Sequence, residues 1–214
     1  MIIISGSNKG GAGKTTTAVN LAVALAIRGH DVCLFNADKQ RSAANWYDTR
    51  EENGYEPKIT LVEKFDNIAS TLRSLDNKYD YVIVDVSGKN SRELVTGGLV
   101  ADVVIAPHQC SQFDMDTLEE LEQQTIAWLD QNPKLKVFSY QTMATTNPVL
   151  QGKERHEFLE FMKDFEGITP LNAIGYHRKV YRDAVSDGRA VVELNNPKAT
   201  AEINALIEEV LSGA

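Results

Sequence analysis

One eight-residue stretch of this 214-residue chain, Lys9-Gly10-Gly11-Ala12-Gly13-Lys14-Thr15-Thr16, restricts the fold more than any other feature. It sits between an apolar run, Ile2–Gly6, and a nearly all-apolar helical segment, Thr16–Arg28, that Gly29 is placed to end. Glycines permit backbone conformations that aim successive N–H groups at one point, and the helix N-terminus adds its positive end there. A strand, loop and helix of this kind suit a phosphate chain. Lys14 supplies a point charge for β- and γ-phosphates, and the Thr15 hydroxyl can ligate Mg²⁺. Gly10, Gly11, Ala12, Gly13, Lys14, Thr15 and Thr16 are therefore the expected nucleotide-binding residues.

The remainder of the chain repeats the alternation of strand and helix. Strands are expected at Ile2–Gly6, Val32–Asn36, Ile59–Val62, Tyr81–Asp85, Val103–Pro107, Val137–Thr142 and, shorter, Ala173–Tyr176. Runs such as Tyr81-Val82-Ile83-Val84 are apolar on both faces, as a parallel strand covered by helices on each side requires. Helical stripes recur at Leu118, Leu121, Thr125 and Trp128, at Phe158, Phe161, Met162 and Phe165, and at Ile203, Leu206, Ile207, Val210 and Leu211; these read as core. The expected fold is α/β: a doubly wound, mainly parallel sheet of about seven strands with helices on both faces. Without repeats or linkers, residues 1–214 read as a single domain.

Composition excludes several classes. With 43% apolar and 24% charged residues the chain can fill a core and stay soluble. It has no run approaching the ~18–20 apolar residues of a membrane span, and its apolar start lacks a basic leader, so a cytoplasmic location is expected. Cys33 and Cys110 lack disulfide or metal-ligand spacing and read as reduced core or near-core thiols, and His30, His108, His156 and His177 show no zinc pattern. A net charge of −8 argues against uniform attraction to nucleic acid or anionic lipid, leaving only local patches.

Lys9 is not part of the ordinary phosphate-loop pattern. With it the loop resembles that of the deviant phosphate-loop ATPases, the group of ParA-type partition proteins and MinD, which reads K-G-G-x-G-K-[ST]-[ST]. The resemblance implies ATP and Mg²⁺ as cofactors and a homodimer sandwiching ATP, with Lys9 reaching the partner's phosphates; otherwise Lys9 is a solvated loop lysine. In Phe35-Asn36-Ala37-Asp38-Lys39-Gln40 the family's D-x-D-P-Q is altered by Asn36 and Lys39. Asp38 matches the second acid, which orients the attacking water, although a strand-end cap would look the same. By the same resemblance Lys9, Lys14 and Asp38 carry catalysis.

Asp85 ends a buried strand beside the loop, so Thr15, Asp38 and Asp85 are the expected metal-site residues. Asn147, in Thr146-Asn147-Pro148, is either an adenine contact or a turn-former. Residues 174–194 are similar to small partition ATPases without an amino-terminal DNA-reading domain. If a helix starts near Arg178, then Arg178, Lys179 and Arg182 form a basic cluster for DNA phosphates, or merely a solvated face. The resemblance thus implies an ATPase of plasmid or chromosome partition, or of cargo positioning. It would bind non-specific DNA as an ATP-bound dimer, associated with the nucleoid, and be released when a ParB-like or cargo-adaptor protein stimulates hydrolysis. One alternative is a MinD-like membrane-associated regulator, which the acidic last helix with Glu202, Glu208 and Glu209 disfavours. Another is a phosphoryl-transfer enzyme with a small-molecule acceptor.

Overall fold

The computed structural model describes residues 1–88, 91–109 and 115–213. Strands β1 (Ile2–Ser5), β2 (Val32–Ala37), β3 (Thr60–Glu63), β4 (Tyr81–Val86), β5 (Val103–Gln109), β6 (Lys136–Ala144) and β7 (Ile168–Tyr176) form one sheet. Its order is β3-β2-β4-β1-β5-β6-β7, and every neighbouring pair is parallel. The connecting helices are α1 (Lys14–Ile27), α2 (Ser42–Glu52), α3 (Ala69–Asp76), α4 (Arg92–Gly98), α5 (Met115–Gln131), α6 (Pro148–Met162), α7 (Lys179–Ser186) and α8 (Pro197–Gly213).

Alternate residues of each strand feed two cores. Ile3, Leu34 and Ile83 pack with α1, α2, α7 and α8, while Ile2, Ile4, Val82 and Val84 pack with α3 to α6. This double covering explains the apolar runs read in the sequence. All seven expected strands are present. The last is longer than expected, starting at Ile168 rather than Ala173. Pro170 interrupts its pattern but is tolerated because β7 is an edge strand. Helices α3 and α4, eight and seven residues long, are too short to have shown a clear period. Cys33 is buried, as expected of a core thiol, while Cys110 lies outside the described residues.

The β1–α1 connection lies at the centre of the sheet, where strand order reverses from β4 to β5. The carboxyl ends of the strands open a crevice there. Helix α2, which follows the Asp38 turn, is pinned from below. The Arg50 guanidinium, fully buried, pairs with Glu193 at 2.9 Å and donates to the carbonyls of Gly188 and Pro57. Trp46 and Tyr55 flank it, with ring centroids 5.6 and 6.0 Å from the guanidinium carbon. The last turn of α2 is thereby tied to the carboxyl-terminal quarter.

Candidate functional site: a phosphate cradle with an adjoining aromatic cavity

Gly11 (φ 73°) and Gly13 (φ 94°) adopt left-handed backbone conformations that bend the loop over the start of α1. Gly13 is the N-cap of α1 and no side chain caps this helix, so its first-turn N–H groups are left for an anionic ligand. The loop is braced from β5 and β6. Gln109 Nε2 donates to the Gly11 carbonyl at 2.7 Å, and the Thr142 hydroxyl lies 2.9 Å from the Ala12 carbonyl. The Ser5 hydroxyl donates to Lys14 O at 2.9 Å.

Lys14 is buried, and its ammonium donates to Lys9 O at 2.5 Å. Burial lowers its pKa, and the nearby Asp85 and Asp38 carboxylates work against that shift. A neutral carbonyl is a weak partner for this ammonium, and a phosphate oxygen would be a stronger one. The Lys9 side chain is half-buried at the same loop.

The Thr15 hydroxyl donates to Asp85 Oδ2 at 2.7 Å, while Asp85 Oδ1 is buried with no hydrogen-bond partner among the described residues. Burial pushes the Asp85 carboxyl up to about 7, partly opposed by the Thr15 hydrogen bond. An all-oxygen pair with a spare buried acceptor fits a hard divalent cation, which would favour the ionised form. Asn36 is Asp85's register partner on the neighbouring strand, and its Oδ1 is likewise buried without a partner among the described residues. Thr15 and Asp85 are thus suited to hold Mg²⁺ or its water shell.

Asp38 faces the loop across a cavity of about 310 Å³ whose wall includes Gly10, Gly13, Lys14, Thr15, Gln40 and Gly88. Its Oδ1 accepts from the Gln40 N–H at 2.8 Å. One carboxylate oxygen therefore closes the turn, as a strand-end cap would, while the residue also lines the phosphate cavity. A second cavity of about 230 Å³ shares Gly13, Thr16 and Met143 with the first and is walled by Tyr140, Tyr176, Tyr181 and Ile203. Its aromatic and aliphatic lining suits a flat base. These wall residues were not singled out in the sequence as base contacts, although the rule that ligands gather at strand carboxyl ends points to Tyr176.

The structure bears on two sequence expectations that carried alternatives. Asn147 lies in the wall of neither cavity: its Oδ1 accepts from Val149 N at 3.0 Å and caps α6, the turn-forming alternative. The basic cluster does not present three available cations. Arg178 is the N-cap of α7, which does start beside it, but it pairs with Glu202 at 2.6 Å and lies over the Tyr176 ring. Lys179 pairs with Asp183 at 2.9 Å on the exposed face, a contact worth little in water. Arg182 has no ion pair among the described residues and lines the aromatic cavity.

Residues 1–133, more than half of the chain, match the family model of the ATPase MipZ. The chain belongs to the MipZ ATPase family. Among curated relatives, this MipZ-family chain is 26% identical over 210 residues to maintenance of carboxysome distribution protein A of Halothiobacillus neapolitanus, spanning 95% of this chain and 93% of the relative. It is 29% identical over 176 residues to the chromosome partitioning protein ParA of Myxococcus xanthus, covering 64% of this chain and 62% of the relative. In structure it resembles a plasmid partition protein of Borrelia burgdorferi bound to AMPPNP, with TM-score 0.74, 19% identity and coverage of 100% of this chain and 99% of the other. The cell division ATPase MinD of Pyrococcus furiosus superimposes with TM-score 0.73 at 17% identity, again over 100% and 99% of the two chains. The fold, an all-parallel P-loop sheet of the ParA and MinD kind, and the membership of a partition or positioning ATPase family follow from these matches together. No helix among the described residues is long and apolar enough to cross a membrane.

Proposed function

We propose that this chain is a single-domain ATPase whose Mg²⁺-ATP-bound homodimer binds DNA without sequence preference and positions a plasmid, chromosome or other cargo. The observation that carries the nucleotide part is the junction of two cavities at Gly13, Thr16 and Met143: one is lined by the phosphate loop and Asp38, the other by tyrosines. A triphosphate in the first places its base in the second. Lys14 exchanges the Lys9 carbonyl for β- and γ-phosphate oxygens, and Thr15 and Asp85 hold Mg²⁺, which offsets the charge of the phosphates. Asp38 orients the attacking water at the γ-phosphate. Lys9 reaches across the dimer to the partner's ATP and adds positive charge where the transition state spreads negative charge.

A cargo-bound adaptor of the ParB kind accelerates hydrolysis and returns the chain to a monomer that leaves the nucleoid. For DNA, Lys179 and Arg182 are the cations left once Arg178 is committed to Glu202. Because screening at ~0.15 M salt reaches only about 8 Å, such a patch acts locally despite the net negative charge.

Light scattering on eluted protein tests the switch. A dimer is expected with a slowly hydrolysed ATP analogue and a monomer with ADP, and Lys9→Ala should bind the analogue but stay monomeric. Duplex binding should require the analogue and fall steeply with salt. A monomer under all conditions, or a Lys9→Ala protein that dimerises normally, would overturn the reading.

A further inference from the structure

Asn36, one of the two departures from the family pattern, belongs to a ring of hydrogen bonds at the Asp38 turn. Asn36 lies on β2 directly opposite Glu63 on β3. Its Nδ2 donates to Glu63 Oε2 at 2.8 Å and to the Asp38 carbonyl at 3.2 Å. Glu63 also receives a two-pronged contact from Arg41, Nε to Oε2 at 3.0 Å and Nη2 to Oε1 at 2.7 Å. Arg41 closes the ring through its own backbone, whose N–H donates to the Asp38 carbonyl at 2.9 Å. Arg41 achieves this with a left-handed backbone (φ 59°), a conformation that a non-glycine residue holds only when its surroundings enforce it. The Arg41 guanidinium and the Asn36 amide together keep the Glu63 carboxyl below its ordinary range.

The chemistry of position 36 accounts for this ring. An aspartate there would place a second carboxylate against Glu63 and would have no N–H for the Asp38 carbonyl. An amide supplies two donors, one for each partner. Glu63 lies at the end of an edge strand with its side chain 29% exposed, so the core does not require it to be an acid.

We propose that Glu63 is a positioning residue for hydrolysis: through Asn36 and Arg41 it holds the Asp38 turn at the phosphate cavity. The inference rests on the reading of Asp38 as the group that orients water. A group that acts only on Asp38 matters for the chemical step and not for nucleotide capture, which the loop performs. Asn36 and Glu63, acting as one unit, are coupled rather than independent.

The experiment combines steady-state ATPase kinetics with hydrogen exchange on the nucleotide-free protein. Glu63→Ala and Asn36→Ala are each expected to lower kcat about tenfold while KM for ATP stays within about twofold, and the double variant is expected to fall no further. Glu63→Gln, which keeps an acceptor for Asn36, should recover part of the loss. Exchange of the Arg41 amide, which reports the turn without nucleotide, should speed up in Glu63→Ala while thermal unfolding shifts little. Multiplying effects in the double variant, an equal rise in KM, or unchanged Arg41 exchange would overturn the proposal. Asp38→Ala distinguishes the underlying reading: if it hydrolyses ATP at the parent rate, Asp38 is not the water-orienting group and the reading fails. If it is inactive while Glu63→Ala is fully active, only the role of Glu63 fails.

Discussion

A methyl group added at Gly88 tests how closely the β4–α4 connection leans on the phosphate loop. A Cβ there would lie 2.9 Å from Lys14 Nζ, 2.9 Å from Lys9 O and 3.0 Å from Gly10 N, where ordinary contacts begin at 3.4 Å. The lysine head can swing aside, but the other two atoms belong to the backbone of the loop itself. Overpacking of this kind costs about 1–3 kcal/mol. If the loop yields, that strain falls on the conformation that receives phosphate. The expected loss of affinity for a slowly hydrolysed ATP analogue is then about 5- to 150-fold, at roughly 1.4 kcal/mol per tenfold. The assay is calorimetric titration with the analogue, read beside the thermal midpoint of the nucleotide-free protein. Gly152→Ala, in α6 with nothing within 4 Å of the new carbon, serves as the control; it should leave affinity unchanged and stabilise the helix by about 0.5–1 kcal/mol. An unaltered dissociation constant for Gly88→Ala would refute the reasoning, because it would mean that the connection retreats and the cradle does not depend on it.

Two further predictions concern buried charge. His108 is buried at the end of β5, where its Nδ1–H donates to Ala106 O at 2.8 Å; burial, with help from Lys14 and Lys9, lowers its pKa from 6.5 to about 4. Between those values the unfolded chain binds a proton at this imidazole that the folded one refuses, so the His108 contribution to stability falls as pH drops through this window, by about 3 kcal/mol in total, opposed by Asp85, whose raised carboxyl takes up a proton on folding below about 7. Chemical denaturation between pH 4 and 7 should show His108→Gln gaining stability relative to the parent as pH drops, and parallel curves would remove His108 as a contributor. For the buried Arg50 to Glu193 pair, Arg50→Ala should destabilise by about 3–5 kcal/mol in urea unfolding, because it strands a carboxylate. Arg50→Met with Glu193→Gln should recover part of this, and a single variant within ~1 kcal/mol of the parent would show that water reaches the site.

The parts legible in the sequence were those whose chemistry is local. Lys9 to Thr16 is contiguous, and its glycines, lysine and hydroxyl are suited to one phosphate chain, so the order of residues already implies the cradle. The buried strands were legible for a similar reason, since burial on both faces leaves uninterrupted apolar runs. The base-sized cavity was not, because Tyr140, Tyr176, Tyr181 and Ile203 come from β6, β7, α7 and α8 and meet only when the strand order is known. Nor could residue type alone show that Arg178 is spent on Glu202, 24 positions away.

Asn36 is the sharpest case. Read along the chain it is a lost carboxylate, which suggests a weaker metal shell. Read across the sheet it is a gained donor, because the β2 to β3 register places an acid opposite it, and that acid also holds Arg41. A pattern written along the chain counts only the acid removed at position 36. The three-dimensional arrangement shows Glu63 receiving an N–H and the Asp38 carbonyl receiving the other, while the amide oxygen is buried with no hydrogen-bond partner among the described residues. Asn36 therefore leaves the negative charge of this pair on Glu63, at the edge of the sheet, and supports the Asp38 turn by a hydrogen bond.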